Sequence, residues 1–264
     1  MQNKENQRNI RAIIEWAIIV ILFSISIILQ FLPIRYAKNA FIHDKLTKII
    51  PQMCGAIAGL MLLIRLKFRL FQKPENALYL LPCLLVAINN FQFSAYFHGE
   101  MEIVYTKPFA FILFALECIF VGLLEECIFR GVLFALLMQY LPKNKKGFLG
   151  VYFISSVSFG LAHLLNGFGA ILQVGYSILT GGLFAFCLMK TKNILCPAFI
   201  HALFNFCGML FDKQGLGNGV VFDVGTIISM LVVGLAVGIF VLYKVLTYPE
   251  IERCALYKKF SIKE

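Results

Sequence analysis

Long apolar runs recur along this chain and restrict its fold more than any other feature. A helix needs roughly 20 predominantly apolar residues to cross the hydrocarbon core of a bilayer. Runs of about this length lie at 12–32, 48–66, 77–97, 108–127 continuing to 140, 147–165, 169–189, 194–211 and 222–246. The sequence therefore predicts an all-α, polytopic membrane helix bundle with about eight transmembrane helices.

The composition agrees with a membrane bundle. Of the 264 residues, 60% are hydrophobic and only 14% are charged. Soluble domains are roughly 45–50% apolar and about 25% charged. Because no long polar linker or internal repeat interrupts the runs, we expect one membrane domain over 1–264. The first run lacks a small-residue cleavage site, so we expect it to be a retained helix.

The net charge of +10 has a membrane explanation. In a soluble protein such an excess would suggest a nucleic-acid partner. Here the Lys and Arg residues lie mostly at the ends of apolar runs, where they anchor helices at the membrane surface. We therefore expect a lipid bilayer and no nucleic acid as partner. The eight cysteines have no metal-site or redox spacing and are expected to be reduced and buried.

The distribution of basic residues predicts the orientation, because cytoplasmic loops carry an excess of Lys and Arg. With the N-terminus inside, 17 of the 24 Lys and Arg residues fall in inner segments. Arg130 falls in neither class. The six in outer loops are Arg35, Lys38, Lys45, Lys48, Lys107 and Lys213. This distribution predicts a multi-pass protein of the cell membrane with both termini inside.

The stretch "GLLEECIFRGVLF", residues 122–134, places three charges inside an apolar run. Charges near the bilayer centre cost several kcal/mol, so they are functional by default. Glu126 and Arg130 are four residues apart and can pair on one helix face. Glu125 points about 100° away and has no local cation. We expect a structural Glu126–Arg130 pair and an available Glu125; the alternative is one static ion network.

The helix containing these charges is unusually long. As one straight helix, 107–140 would measure about 50 Å, well beyond a hydrocarbon core of about 30 Å. We therefore expect it to tilt strongly, or to break near Gly131 into a spanning part and an interfacial part.

Two later runs contain histidines. In "SVSFGLAHLLNG", Phe159 and His163 are one turn apart, and in "CPAFIHALFNFCG", His201 and Asn205 are four apart on one face. A single intramembrane histidine is often a hydrogen-bonding residue that joins helices. Two histidines on separate helices, an asparagine in register and an available glutamate favour convergence on one polar cavity, because each would otherwise need its own partner in a dry interior.

Other residues have mainly structural interpretations. Asn89 and Asn90 are expected to bridge or cap helices. Gly181, Gly182 and Gly175 are expected to allow close helix packing. Glu117 lies eight residues before Glu125 on roughly the same face, so it either lines the outer part of the cavity or bonds a neighbour.

The polar set supports hydrolysis of an amide by activated water. The sequence has no nucleophile elbow, no metal-binding HExxH helix and no Walker loop. Glu125 is placed to take a proton from water that a histidine orients. His201 and Asn205 can donate to the oxyanion of a tetrahedral intermediate. No cofactor is favoured, but zinc held by Glu125, His163 and His201 is an alternative, because two histidines and a glutamate form an accepted catalytic set.

Three short motifs in order resemble those of the CPBP intramembrane proteases. They are Glu125-Glu126-x-x-x-Arg130, Phe159-x-x-x-His163 and His201-x-x-x-Asn205. The chain resembles the type II CAAX prenyl endopeptidases and the bacteriocin-processing or Abi-type proteins of this family. The resemblance covers about 107–210, which we take as the protease core.

The resemblance implies an eight-helix intramembrane endopeptidase acting on a peptide or membrane-protein substrate. In the family, the first glutamate and first histidine are thought to activate water, and the second histidine and asparagine to form the oxyanion site. Carried over, the catalytic residues are Glu125, His163, His201 and Asn205. Glu126, Arg130 and Phe159 are supporting residues.

Two alternative functions use the same polar cavity. A non-catalytic membrane protein, such as an immunity factor against a secreted peptide, would use it as a docking site. A transporter would use the buried Glu and His as a proton relay. The sequence lacks the inverted repeat and paired broken helices typical of transporters.

Overall fold

The computed structural model describes residues 2–99, 102–103, 107–166, 171–212 and 224–260. Helices make up nearly all of this part of the chain. They are α1 (Gln2–Phe31), α2 (Ala40–Arg65), α3 (Leu80–Asn89), α4 (Phe93–Phe97), α5 (Pro108–Glu126), α6 (Phe134–Tyr140), α7 (Lys145–Ala162), α8 (Ile171–Thr191), α9 (Leu195–Met209), α10 (Val224–Leu246) and α11 (Glu250–Phe260).

Short irregular elements connect these helices. Single 3₁₀ turns cover Ala77–Tyr79 before α3 and His163–Asn166 after α7. Two-residue strands, β1 (Glu102–Ile103) and β2 (Phe211–Asp212), pair antiparallel, with Glu102 opposite Asp212.

The chain folds as a helical membrane bundle, as predicted. Five helices in the described part are long and apolar enough to cross a membrane, over Ile13–Phe31, Ala40–Arg65, Lys145–Leu165, Gln173–Thr191 and Ile227–Leu246. The apolar helices Ala77–Asn89 and Leu195–Met209 are shorter. Helix α5, which carries three glutamates, is not among the five. The count of eight spans and the orientation stay predictions.

The predicted span at 77–97 is not one helix. The helical stretch Ala77–Asn89 ends at Asn90, and the short α4 follows it. Gln92, which precedes α4, has φ of 51° in the left-handed region, and this conformation interrupts a right-handed helix. A stretch of this length rises only about 20 Å, less than the hydrocarbon core.

The long helix from 108 to 140 changes its winding near Gly131. Residues Cys127–Leu133 form a π-helical segment that joins α5 to α6 without a gap. The helix therefore does not break near Gly131, which was one of the two outcomes expected from the length of 107–140. π-Segments are rare and frequently occur at functional sites. Here the segment begins directly after the two glutamates and contains Arg130.

Helix α8 is the centre of the bundle. Its membrane stretch is 78% buried, whereas those of α1 and α10 are each 11% buried and lie at the periphery. Phe184, Phe186 and Leu188 of α8 belong to the main hydrophobic core. Because α8 is enclosed by other helices, it gives the bundle a rigid axis against which α7 and α9 pack.

Polar contacts close one end of the bundle. The backbone N–H of Ile194 donates to the Leu70 carbonyl at 2.9 Å, and that of Glu75 donates to the Thr191 carbonyl at 2.8 Å. The Lys192 ammonium donates to Glu75. These bonds attach the α8–α9 turn to the segment after α2.

Two basic residues expected in the first outer loop lie instead on α2. Lys45 is buried and donates to Glu117 of α5 at 2.6 Å. Lys48 pairs with Asp44 at 3.1 Å and is 3.9 Å from the other oxygen of Glu117. Glu117 therefore bonds neighbours across the α2–α5 contact. The sequence alone did not reveal this, because the partners are 72 residues apart.

Candidate functional site

The predicted Glu126–Arg130 ion pair is present at the junction of α5 and the π-segment. Arg130 Nη1 is 3.1 Å from Glu126 Oε1, and both side chains are 0% exposed. A fully buried charge requires a partner, because its transfer out of water costs several kcal/mol. The four-residue spacing supplies that partner from the next turn.

Arg130 makes further contacts with α7 and α8. Its Nη2 donates to the Gly181 carbonyl at 2.7 Å. The guanidinium carbon lies 4.3 Å from the centre of the Phe159 ring and 5.5 Å from that of Phe184. A planar guanidinium stacks favourably on aromatic faces. Arg130 therefore joins α7, α8 and the π-segment around one charge.

His201 of α9 reaches the same glutamate. Its Nδ1 is 3.0 Å from Glu126 Oε1, and the imidazole is 5% exposed. An ionised carboxylate only accepts hydrogen bonds, so Nδ1 carries the proton and donates it. Glu126 Oε1 thus accepts from both Arg130 and His201. This bond orients the ring so that Nε2 points away from Glu126.

Nε2 of His201 faces the other glutamate. Glu125 Oε2 lies 3.7 Å from it, too long for a direct hydrogen bond. The Glu125 side chain is 29% exposed. Its Oε2 is buried and has no hydrogen-bond partner among the described residues. Glu126 Oε2 is likewise buried without a hydrogen-bond partner among the described residues, so the partial exposure of Glu125 is what distinguishes the two carboxylates.

His163 joins this group through Phe159. The two rings are 5.1 Å apart, and the Phe159 ring is also 5.5 Å from that of His201. Nδ1 of His163 is 2.9 Å from the Phe159 carbonyl, which only accepts hydrogen bonds. Nδ1 therefore donates, and Nε2 keeps a lone pair. Phe159 separates the two imidazoles and contacts both.

The structure brings together six of the seven predicted site residues through direct or ring contacts, and Asn205 is the seventh. Asn205 is half-buried one helical turn beyond His201 on α9. Within the described residues, no hydrogen bond links its side chain to the cluster. The ring of Phe184 was not predicted: it stacks on His201 at 4.7 Å. One apolar residue in an apolar helix carries no sequence signal for such a role.

Close helix packing at Gly122 holds α5 against α9 beside the site. A Cβ at Gly122 would lie 2.9 Å from the Ala198 carbonyl oxygen and 2.9 Å from the Ala202 backbone nitrogen. Because a side chain there would meet backbone, only glycine permits this approach. Gly122 is one turn before Glu126, so the approach brings both glutamates close to His201.

The remaining small and polar residues mostly have the expected structural roles. Asn90 donates to the Phe204 carbonyl at 2.9 Å and thereby joins α3 to α9. Gly181 and Gly182 pack against α7, where a Cβ would meet Ser156 and Tyr152. Gly175 is different, because a Cβ there would have no atom within 4 Å. The expectation of close packing at Gly175 was wrong.

A zinc site at this position would need Glu125, His163 and His201 to lie around one point. Among the described residues, no three His, Cys, Asp or Glu side chains lie close enough together to hold a metal ion. This holds for the proposed zinc ligands Glu125, His163 and His201. In this arrangement Glu125, His163 and His201 do not form a set of metal ligands.

The segment that contains this site is similar to one family of known proteins. The family model "Type II CAAX prenyl endopeptidase Rce1-like" matches residues 107–207. No curated protein and no solved structure gives a significant match. The matched segment contains both glutamates, Arg130, and the motifs that end at His163 and Asn205. Over residues 107–207, somewhat less than half of its length, the chain is similar to the Rce1-like type II CAAX prenyl endopeptidases.

Proposed function

We propose that this protein is an intramembrane endopeptidase in which Glu125 activates water without a covalent intermediate. The observation that carries the proposal is the position of Glu125. Its Oε2 has no hydrogen-bond partner among the described residues and lies 3.7 Å from Nε2 of His201. A water oxygen placed to one side of these two atoms can lie within hydrogen-bond distance of both.

The proposed reaction is ordinary amide hydrolysis. The water oxygen forms a bond to the carbonyl carbon while Glu125 accepts one water proton. The tetrahedral intermediate carries the negative charge on the former carbonyl oxygen. Its collapse breaks the C–N bond, and Glu125 returns the proton to the departing nitrogen. The products are a carboxylic acid and an amine.

Two further residues are assigned to the intermediate. His201 already donates from Nδ1 to Glu126, so donation to the oxyanion must come from Nε2. Nε2 must then also carry a proton, and Glu126 and the oxyanion balance the charge of the ring, because Glu125 holds the water proton at that stage. Asn205, on the same face of α9, supplies the second donor. His163, with the lone pair of its Nε2, is assigned to orient the attacking water.

Substrate class and topology are also proposals. We propose that the substrate is a peptide or a membrane-associated protein whose scissile bond is presented at the bundle. We propose eight membrane crossings in the cell membrane with both termini inside. Besides the five long helices, these are 107–140, Leu195–Met209, and Ala77–Asn89 together with α4, because Ala77–Asn89 alone is too short. We propose that the reaction needs no cofactor. Full activity after thorough treatment with a chelator would agree with this, and loss restored by zinc would overturn it.

The central test is Glu125→Gln in the full-length protein. A neutral amide of nearly equal size cannot accept the water proton, so we expect cleavage to fall by at least about a hundredfold. The assay uses prenylated CAAX-type peptides and the same peptides without the lipid. Glu15→Gln is the matched control, because Glu15 pairs with Arg65 on α1 and α2, away from the site.

The outcomes separate enzyme from binding protein. Loss in Glu125→Gln with activity kept in Glu15→Gln supports the proposal. Full activity of Glu125→Gln on a verified substrate would refute the mechanism. An immunity or docking protein would instead tolerate Glu125→Gln and His201→Ala and would lose function through changes in loops or lipid-facing residues.

A further inference from the structure

A cleft outside the candidate site lies at one end of the bundle. It encloses about 310 Å³ between the turn before α7 and helix α11. Its lining includes Lys143, Lys145, Arg253, Glu250 and Tyr257. Three cationic side chains thus face one carboxylate, and the cleft carries net positive charge.

The positive charge of the cleft is poorly neutralised. The Arg253 guanidinium is 4.0 Å from Glu250, whose side chain is 83% exposed, so this pair is weak. Within the described residues, neither Lys143 nor Lys145 has an ion-pair partner. Other lysines near this end do have partners, since Lys190 is 2.8 Å from Glu252. The cleft therefore differs from its surroundings in having cations available.

A hydroxyl group in the cleft also lacks a partner. The Tyr257 hydroxyl oxygen is buried, and no described residue bonds to it. Burial raises the pKa of Tyr257, so the phenol is neutral near pH 7 and can donate. A buried donor without an acceptor costs about 1–3 kcal/mol. Because Tyr257 lines the cleft, a small movement of its side chain would let an anion there accept this hydrogen bond.

The cleft lies where lipid headgroups are expected. One candidate span begins at Lys145, and another ends at Leu246, four residues before α11 begins. The rings of Phe148 and Tyr248 are 4.9 Å apart and hold these two helix ends together. Basic residues at the ends of membrane helices meet the phosphate groups of the bilayer.

We propose that this cleft binds the phosphate group of an anionic phospholipid. Arg253 and the two lysines neutralise the phosphate, and Tyr257 donates a hydrogen bond to it. Soluble inorganic phosphate offers the same chemistry. The position of the cleft at the ends of two candidate spans favours the lipid as its source.

The test adds soluble short-chain lipid to the purified full-length protein in an uncharged detergent. The probes are dihexanoyl phosphatidylglycerol, dihexanoyl phosphatidylcholine and inorganic phosphate. Saturable binding raises the thermal unfolding midpoint with ligand concentration, and this dependence gives Kd. We expect the anionic phosphatidylglycerol to bind most tightly.

Two sets of variants decide whether the cleft is responsible. The triple variant Lys143→Gln, Lys145→Gln, Arg253→Gln is expected to weaken phosphatidylglycerol binding more than about tenfold. The matched triple Lys67→Gln, Arg69→Gln, Lys73→Gln removes the same charge from exposed residues of the segment after α2 and is expected to change binding by less than about twofold. Tyr257→Phe removes only the hydroxyl and is expected to weaken binding by about tenfold.

Each outcome supports or overturns the assignment. Equal losses in both triple variants would mean general electrostatic attraction and would overturn the site, as would no loss in the cleft triple and Tyr257→Phe. Equal binding of phosphatidylcholine would overturn the preference for an anionic lipid. Equal affinity for inorganic phosphate, with the same dependence on the variants, would reassign the site to a soluble anion.

Discussion

At the scale of single residues, the two adjacent glutamates have opposite surroundings. Glu126 is fully buried, and one of its oxygens accepts from both Arg130 and His201. Glu125 is partly exposed, and its Oε2 lies 3.7 Å from His201 Nε2 without a direct hydrogen bond. One residue step along a helix turns a side chain by about 100°, which suffices to separate the two environments. The two adjacent glutamates are therefore assigned different roles, Glu126 in the buried ion pair and Glu125 in the proposed activation of water.

Glu126→Gln tests the supporting role of the buried glutamate. Gln keeps the size but leaves the Arg130 charge without its counter-ion, so we expect the free energy of unfolding to fall by about 3–5 kcal/mol. Denaturant unfolding of the purified protein in detergent measures this change. Glu250→Gln removes an exposed pair with Arg253 and should cost less than about 1 kcal/mol. Similar costs in the two variants would contradict the assignment.

At the scale of helices, the site depends on the approach of α5 to α9. The Glu126–His201 bond joins residues 75 positions apart. Its length depends on how closely the helix backbones pack. Gly122 allows this approach, because α9 backbone atoms occupy the space that a side chain would take. Small residues at helix contacts permit such packing in membranes.

Gly122→Ala is expected to push α5 away from α9. The added carbon would lie 2.9 Å from backbone atoms of α9, so the helices must separate. We expect a loss of about 1–3 kcal/mol in the free energy of unfolding and a loss of peptide cleavage. The control is Gly234→Ala on α10, where a Cβ has no atom within 4 Å. Unchanged stability and cleavage in Gly122→Ala would show that the approach is not required.

The sequence predicted local geometry better than contacts between helices. The spacing rule predicted the Glu126–Arg130 pair, because both residues lie on one continuous helix. It did not predict the second bond of Glu126 to His201, which depends on the packing of distant helices. The sequence also placed Lys45 in a loop. Its burial on α2 depends on an ion pair with Glu117, which lies on another helix and gives no local signal. The stacking of Phe184 had no sequence signal at all.

At the scale of the whole molecule, one end of the bundle is held by ion pairs. Glu75 accepts from Lys192 and is 3.3 Å from Lys259 of α11. Tyr248 donates to the Met189 carbonyl at 2.6 Å. These contacts connect the segment after α2, the α8–α9 turn and the C-terminal helix. Their location predicts a dependence of stability on pH that does not involve the candidate site.

Acid is expected to loosen this end of the bundle through Glu75. The hydrogen bond from the Lys192 ammonium holds the pKa of Glu75 below its ordinary value of 4.5. Its stabilising contribution is therefore full above about pH 4.5 and is lost as the pH falls through the lowered value. Glu75→Gln should show a smaller decline in Tm between pH 6 and pH 3. An identical decline in both proteins would rule out this contribution.

The proposed orientation can be tested with a native thiol. Cys254 on α11 is the exposed cysteine among the eight, and the others are buried or partly buried. With the C-terminus inside, an impermeant maleimide should label Cys254 only after cells are permeabilised. Lys38→Cys in a Cys254→Ser background should be labelled in intact cells. Labelling of Cys254 in intact cells would show that the C-terminus lies outside and would contradict the proposed orientation.

The π-segment limits which changes in chain length this protein can tolerate. A π-turn holds about one residue more than the α-helix it replaces, so a single deletion within Cys127–Leu133 can be absorbed by a return to α winding. A single deletion within α5 cannot be absorbed in this way, because α5 has no extra residue to lose. It would rotate both glutamates by about 100° relative to the helix before them and take them off the face that meets α9. We therefore expect that an insertion or deletion between Gly122 and Glu126 abolishes peptide cleavage.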